Sequence, residues 1–255
     1  MKKIIKIAKI IFVFAFLFNF QSLFASNTWF SKNKTYSGEV KFKGITYELL
    51  EGEWTFVSKF DWHVMGIQGD GVTLALIENN TLKALVDIGH ITTSGKRQAL
   101  VSQILDRAIV NGVTDGCYDK SEYYIVKVWQ RGMSANCLIS RHIDLKKEMY
   151  NPDYNVEADG YGETYSTAAF KNFFKKNNLE IPKILISNRH FYMSPSHGGR
   201  TVAFSIDRNP EFFGVSNTLI GNENNSEYHK TNLEKHPKKK KFVNEIIQQS
   251  FVYHK

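Results

Sequence analysis

An α+β fold is what the sequence predicts: a mainly antiparallel sheet, an N-terminal meander plus later hairpins, packed with two to three helices. Three observations predict it. Between Trp54 and Ile88 apolar residues recur with period two, the pattern of half-buried strands. Around residues 100–108 and again around Phe173 the period becomes that of an amphipathic helix. Strands come in runs and do not alternate with helices, which argues against parallel βαβ units.

The first element is an export signal. Lys2, Lys3, Lys6 and Lys9 precede an unbroken apolar run from Ile10 to Phe18, and Leu23-Phe24-Ala25 follows. That order of charge, apolar core and small residue is that of a secretory signal, with cleavage expected near Ala25. The run is far shorter than the roughly 20 residues of a spanning helix, although an uncleaved inner-membrane anchor is the rival reading. Residues 1–25 are therefore read as a signal peptide, 26–213 as one α+β domain, and 214–255 as a polar, basic tail.

The meander comes next. Trp54, Phe56, Phe60, Trp62 and Val64 alternate with polar residues, Gln68-Gly69-Asp70-Gly71 reads as a turn, and a second strand covers 72–77. Asn79-Asn80 signals another turn before a third strand over 81–88, and 36–50 adds one or two strands. The aromatic alternation suits core packing better than a sugar-binding face. Leu100, Val101, Ile104, Leu105 and Ala108 then mark a helix ended by Asn111-Gly112. Residues 122–129 and 136–143 read as a hairpin, Ala169 to Phe174 as a second helix, and 183–187 and 201–206 as two late strands around a Ser194-Pro195-Ser196-His197-Gly198-Gly199 turn. Phe242, Val243, Ile246, Ile247 and Phe251 lie at helical spacing after Lys238, Lys239, Lys240 and Lys241. Four lysines oppose a helix dipole at its start, so this helix must gain stability by docking on the body or on an anionic membrane surface.

The formal charge of +8 belongs to the ends. Residues 26–227 carry 22 Lys plus Arg against 23 Asp plus Glu, a near-neutral body that disfavours nucleic acid as a partner. The Lys, Asn, Ile and Phe content fits an AT-rich bacterial genome.

Familiar catalytic motifs are absent from the sequence. Cys117 and Cys137 are its two cysteines. Export favours their pairing, worth ~3 kcal/mol in the chain-entropy model. The hairpin opposes it, since Cys137 should lie opposite residue 128, roughly 20 Å from the strand end that Cys117 precedes. Asp153, Asn155, Glu157, Asp159 and Glu163 place oxygen donors at alternate positions, as calcium loops do, but Ser166 stands where a bidentate Glu belongs. Weak calcium binding at most is expected, with no other cofactor. Arg189, His190, Ser196, His197 and Arg200 could serve an oxyanion or a proton transfer, or simply build a turn. The expectation is an exported, periplasmic or secreted, non-enzymatic domain that binds a small ligand or an envelope component. The alternative is a periplasmic hydrolase or transferase using 189–200.

Overall fold

The computed structural model describes residues 29–31, 34–64, 67–91, 123–131, 134–145, 167–194, 200–216 and 225–251. It divides into two compact units, one holding residues 37–51 and the other Phe30–Tyr36 with Gly52–Lys255. The small unit carries a hairpin of β2 (Glu39–Phe42) and β3 (Ile45–Glu48) in the register Val40↔Tyr47 and Phe42↔Ile45. Lys43 and Gly44 both have positive φ, 52° and 80°, the turn that matches the twist of paired strands.

The large unit is organised by one eight-stranded sheet. Its members are β1 (Thr35–Tyr36), β4 (Trp54–Val64), β5 (Ile67–Glu78), β6 (Thr81–Ile91), β7 (Tyr123–Arg131), β8 (Ser134–Ile143), β9 (Leu185–Ser194) and β10 (Arg200–Arg208). The order is β1-β4-β5-β6-β10-β9-β8-β7, and every adjacent pair is antiparallel. Asn79 and Asn80 turn β5 into β6 with φ of 52° and 58°, as their side chains allow.

The α+β expectation is corrected by this sheet. The meander and the later hairpins are not separate parts packed with two to three helices. They join through β6 and β10 into one large antiparallel sheet that dominates the fold. Among the described residues only two helices accompany it, α1 (Thr167–Lys176) and α2 (Pro237–Ser250). The reason is that local periodicity finds strands but not which distant strands pair. The helix expected near 100–108 lies outside the described residues.

Two local expectations also change. Gly69, Asp70 and Gly71 lie inside β5, with Gly71 opposite Gly89, because the strand continues through the glycines and does not turn there. A bulge between Phe56 and Ser58 shifts the β4 register. Trp54 and Phe56 are opposite Leu76 and Leu74, whereas Phe60 and Trp62 are opposite Gly71 and Gly69, positions on the other face. The four aromatics therefore form no single stripe.

Alternation along β9 defines the two faces of the sheet. On the face of Ile186, the core joins Ile184 and Ile186 to Phe242, Val243, Ile246 and Ile247 of α2, with Tyr228 and Leu233. On the face of Leu185, it joins Ala75, Leu85, Ile143 and Leu185 to Phe173 and Phe174 of α1. The two helices thus cover opposite faces. A connecting 3-10 turn, Pro210–Phe213, is fastened by Asn209, which accepts from the Glu211 N–H at 3.2 Å and donates to the Leu82 carbonyl at 2.9 Å.

Candidate functional site

Strand β9 reads Leu-Ile-Ser-Asn-Arg-His-Phe-Tyr-Met-Ser, with four polar residues in succession inside a sheet. Alternation splits them. Asn188 and His190 share the face of α2, while Ser187 and Arg189 share the face of α1. Arg189 and His190 therefore cannot act on one ligand. The strand expected over 183–187 instead spans Leu185–Ser194, and Arg200 pairs with Ser194. Ser196 and His197 lie outside the described residues.

The face of α2 carries a buried polar cluster centred on Asn188. Ser140 of β8 is directly opposite it, and Ile206 of β10 flanks it on the other side. One row away, His142, Ile186 and Arg208 are aligned across β8, β9 and β10, placing His142 and Arg208 diagonally on either side of Asn188. Such diagonal neighbours lie within reach of long side chains. His190, two residues along, is opposite Leu138 and Phe204. Ser140 is fully buried and Asn188 is 1% exposed, as is Arg208. Ser140 Oγ, Asn188 Oδ1 and Asn188 Nδ2 have no hydrogen-bond partner among the described residues. Each such atom costs about 1–3 kcal/mol when enclosed without a partner, and buried polar groups in native proteins are nearly always satisfied.

Aromatic rings close one side of the cluster. Tyr124 stacks on His142 at 5.9 Å between centroids, and His229 meets His142 edge-on at 6.1 Å. The Thr231 N–H donates to His229 Nδ1 at 3.3 Å, with Thr231 Oγ1 at 2.8 Å from the same nitrogen. Accepting there leaves Nε2 of a neutral His229 to carry the proton. The Tyr124 hydroxyl donates to the Tyr228 carbonyl at 2.5 Å, and the Tyr228 hydroxyl to the Ser216 carbonyl at 2.7 Å. Burial pushes both phenols well above their ordinary value, helped at Tyr124 by Tyr228 and at Tyr228 by Glu211.

The face of α1 has a different polar row. Arg189, Ser205, Asp87, Thr73 and Ser58 are aligned across β9, β10, β6, β5 and β4. Thr73 Oγ1 donates to Asp87 Oδ1 at 2.6 Å and Ser205 Oγ to Asp87 Oδ2 at 3.3 Å. Both carboxylate oxygens are satisfied, so this row ties three central strands together. The unsatisfied Ser140–Asn188 pair is the better ligand site.

The remaining expectations fall as follows. Cys137 is buried and opposite Val128 and Phe191, at the register the hairpin predicted; Cys117 lies outside the described residues. So do Asp153, Asn155, Glu157, Asp159 and Glu163. Among the described residues no group of three His, Cys, Asp or Glu could hold a metal. Lys239 is buried against Glu227 and lies 5.0 Å from the Tyr228 ring centroid, and burial lowers its ammonium below the usual lysine value. Lys240 pairs with Glu234 at 2.6 Å and Lys241 with Glu245 at 3.7 Å, while Lys238 is exposed. No helix among the described residues is long and apolar enough to cross a membrane.

Sequence reasoning missed Ser140, Asn188, Arg208 and the Asp87 row. A signal was present: four polar residues in succession from Ser187 to His190, flanked by apolar ones, cannot all face water in a central strand. No protein-family model, no curated protein and no solved structure matches the chain.

Proposed function

We propose that this is an exported, periplasmic or secreted, binding protein that encloses a small polar ligand on the face of Asn188. The observation that carries this reading is the directly opposed pair Ser140–Asn188, deeply buried with hydroxyl and amide atoms unpartnered among the described residues. A ligand that both donates and accepts would satisfy these atoms and recover their desolvation penalty. The Lys-flanked apolar run before Ala25 supports export.

The membrane reading of the basic tail has less support. The apolar stripe of α2 is already packed on Ile184 and Ile186, and three of the four lysines face acids. The hydrolase or transferase alternative is likewise weakened, because Arg189 and His190 occupy opposite faces. Calcium at 153–163 stays a proposal of weak binding at most, for want of a closing carboxylate.

Mass spectrometry of the small molecules released when natively purified protein is denatured tests the binding reading. A stoichiometric compound, retained by the wild type and missing from Asn188→Leu, is the expected result. Release of nothing from either protein, with identical melting, would remove the case for a ligand.

A further inference from the structure

We propose that the group held beside Asn188 is uncharged and presents a donor and an acceptor side by side, the N–H and C=O edge of a carboxamide or lactam. The assignment rests on the binding reading and adds the chemical class. Asn188 Oδ1 and Nδ2 and Ser140 Oγ have no hydrogen-bond partner among the described residues, and both side chains are buried. Oδ1 needs a donor, Nδ2 needs an acceptor, and the hydroxyl of Ser140, directly opposite, can do either. A planar edge of N–H beside C=O meets both Asn188 atoms through two parallel hydrogen bonds. Its second carbonyl lone pair is then left for Ser140. Rotating the Asn188 amide by half a turn exchanges its two atoms and leaves the requirement unchanged, since both are unpartnered.

A charged guest fails at one atom or the other. A carboxylate or phosphate oxygen accepts from Nδ2 but sets oxygen against oxygen at Oδ1. An ammonium donates to Oδ1 and leaves Nδ2 unmet. The surroundings give an ion no compensation. Next to the pair in its own row stand Ile125 of β7 and Ile206 of β10. Charge of both signs lies further out: Arg208 is one row away, Asp144 is two residues past His142, and Glu211 is close enough to Tyr228 to raise its phenol. Arg208, His142, His190 and Asp144 are each engaged in interactions of their own. The hydrogen bonds that define the guest are those of Asn188 and Ser140, both neutral, and an ion enclosed against neutral partners loses more hydration than they return.

Titration of the purified full chain with acetamide, pyrrolidinone and acetate, followed through the side-chain amide resonances of Asn188, is the test. Acetate has the shape of acetamide without its N–H groups. Saturable binding of acetamide or pyrrolidinone roughly tenfold or more tighter than acetate is expected, the order that one hydrogen bond supplies. Asn188→Leu should abolish this binding. Ser140→Ala, which removes a single bond, should weaken it several-fold, and it decides the matter if Asn188→Leu does not fold. Equal or tighter binding of acetate would overturn the class while leaving the binding reading intact, and so would binding unchanged in the variants. Failure of all three probes to bind overturns the class as well. A compound released on denaturation that lacks an N–H and C=O edge would then leave the binding reading standing, whereas release of nothing would remove both.

Discussion

Thr73, Asp87 and Ser205 show how a carboxylate is kept inside a sheet. Each oxygen of Asp87 accepts one hydroxyl from a neighbouring strand, so the group is stabilised by side chains that the register puts beside it. Thr73→Val keeps shape and removes the shorter of these bonds. We expect it to destabilise the protein by about 1–3 kcal/mol, since Oδ1 is left buried without that donor, read as a lower midpoint in urea with an unchanged slope. Ser140 and Asn188 predict the contrary behaviour: with no partner among the described residues to lose, Ser140→Ala should be close to neutral in protein stripped of ligand. Tyr124 gives a third prediction, in pH. Its folded value is raised above 10.0 by burial and by Tyr228. The unfolded chain therefore releases this proton first, and the stability linked to it is complete below pH 10 and falls as pH rises beyond that. Tyr124→Phe should lose roughly 1 kcal/mol at neutral pH with its hydrogen bond to the Tyr228 carbonyl. It should also melt with a shallower decline between pH 10 and 12 than the wild type, and parallel curves would refute the assignment.

At the level of elements, α2 begins with Pro237 and four lysines, a poor electrostatic start, and owes its place to packing. Phe242 is 5% exposed, within the cluster of Ile184, Ile186, Val243 and Ile246, and 5.0 Å from the Phe213 ring. Phe242→Ala should destabilise by about 3–5 kcal/mol, on the order of 10 °C in melting temperature for a chain of this size, whereas truncating exposed Gln248 should change little. The elements also show what local sequence encodes. The Asn79-Asn80 turn was legible because few side chains other than Asn and Gly accept positive φ at both positions. The register of Cys137 opposite Val128 was legible because a short hairpin leaves little choice. The bulge at Val57, which moves Phe60 and Trp62 to the opposite face from Trp54, leaves the spacing of aromatics unchanged in sequence and could not be read there. Nor could the length of β9: Ser187 to His190 looked like the approach to a turn because each residue is polar, and only pairing with β8 on one side and β10 on the other makes those polar groups a buried site.

For the whole molecule, the decisive contact is the pairing of β6 with β10, Val202 opposite His90 through Arg208 opposite Ala84, which closes the sheet across more than a hundred residues of chain. Such pairing is paid for in loop-closure entropy before it is rewarded, so folding should be slow compared with helical proteins of similar size. A chain that folds this way is vulnerable while its edges are open, and export followed by a covalent tie would limit that exposure. The Lys-flanked apolar run of 10–18 and the cysteines Cys117 and Cys137 are the sequence features that fit such a route. Both are tested in one measurement, the intact mass of protein purified from the producing cell without reductant. We expect a chain beginning just after Ala25, and a mass two hydrogens below that of the reduced chain. Reduction should then lower stability by roughly 3 kcal/mol. A chain beginning at Met1 and extracted only by detergent would refute cleavage, and a mass unchanged by reductant would refute the pairing independently, leaving Cys137 as a buried core residue opposite Phe191.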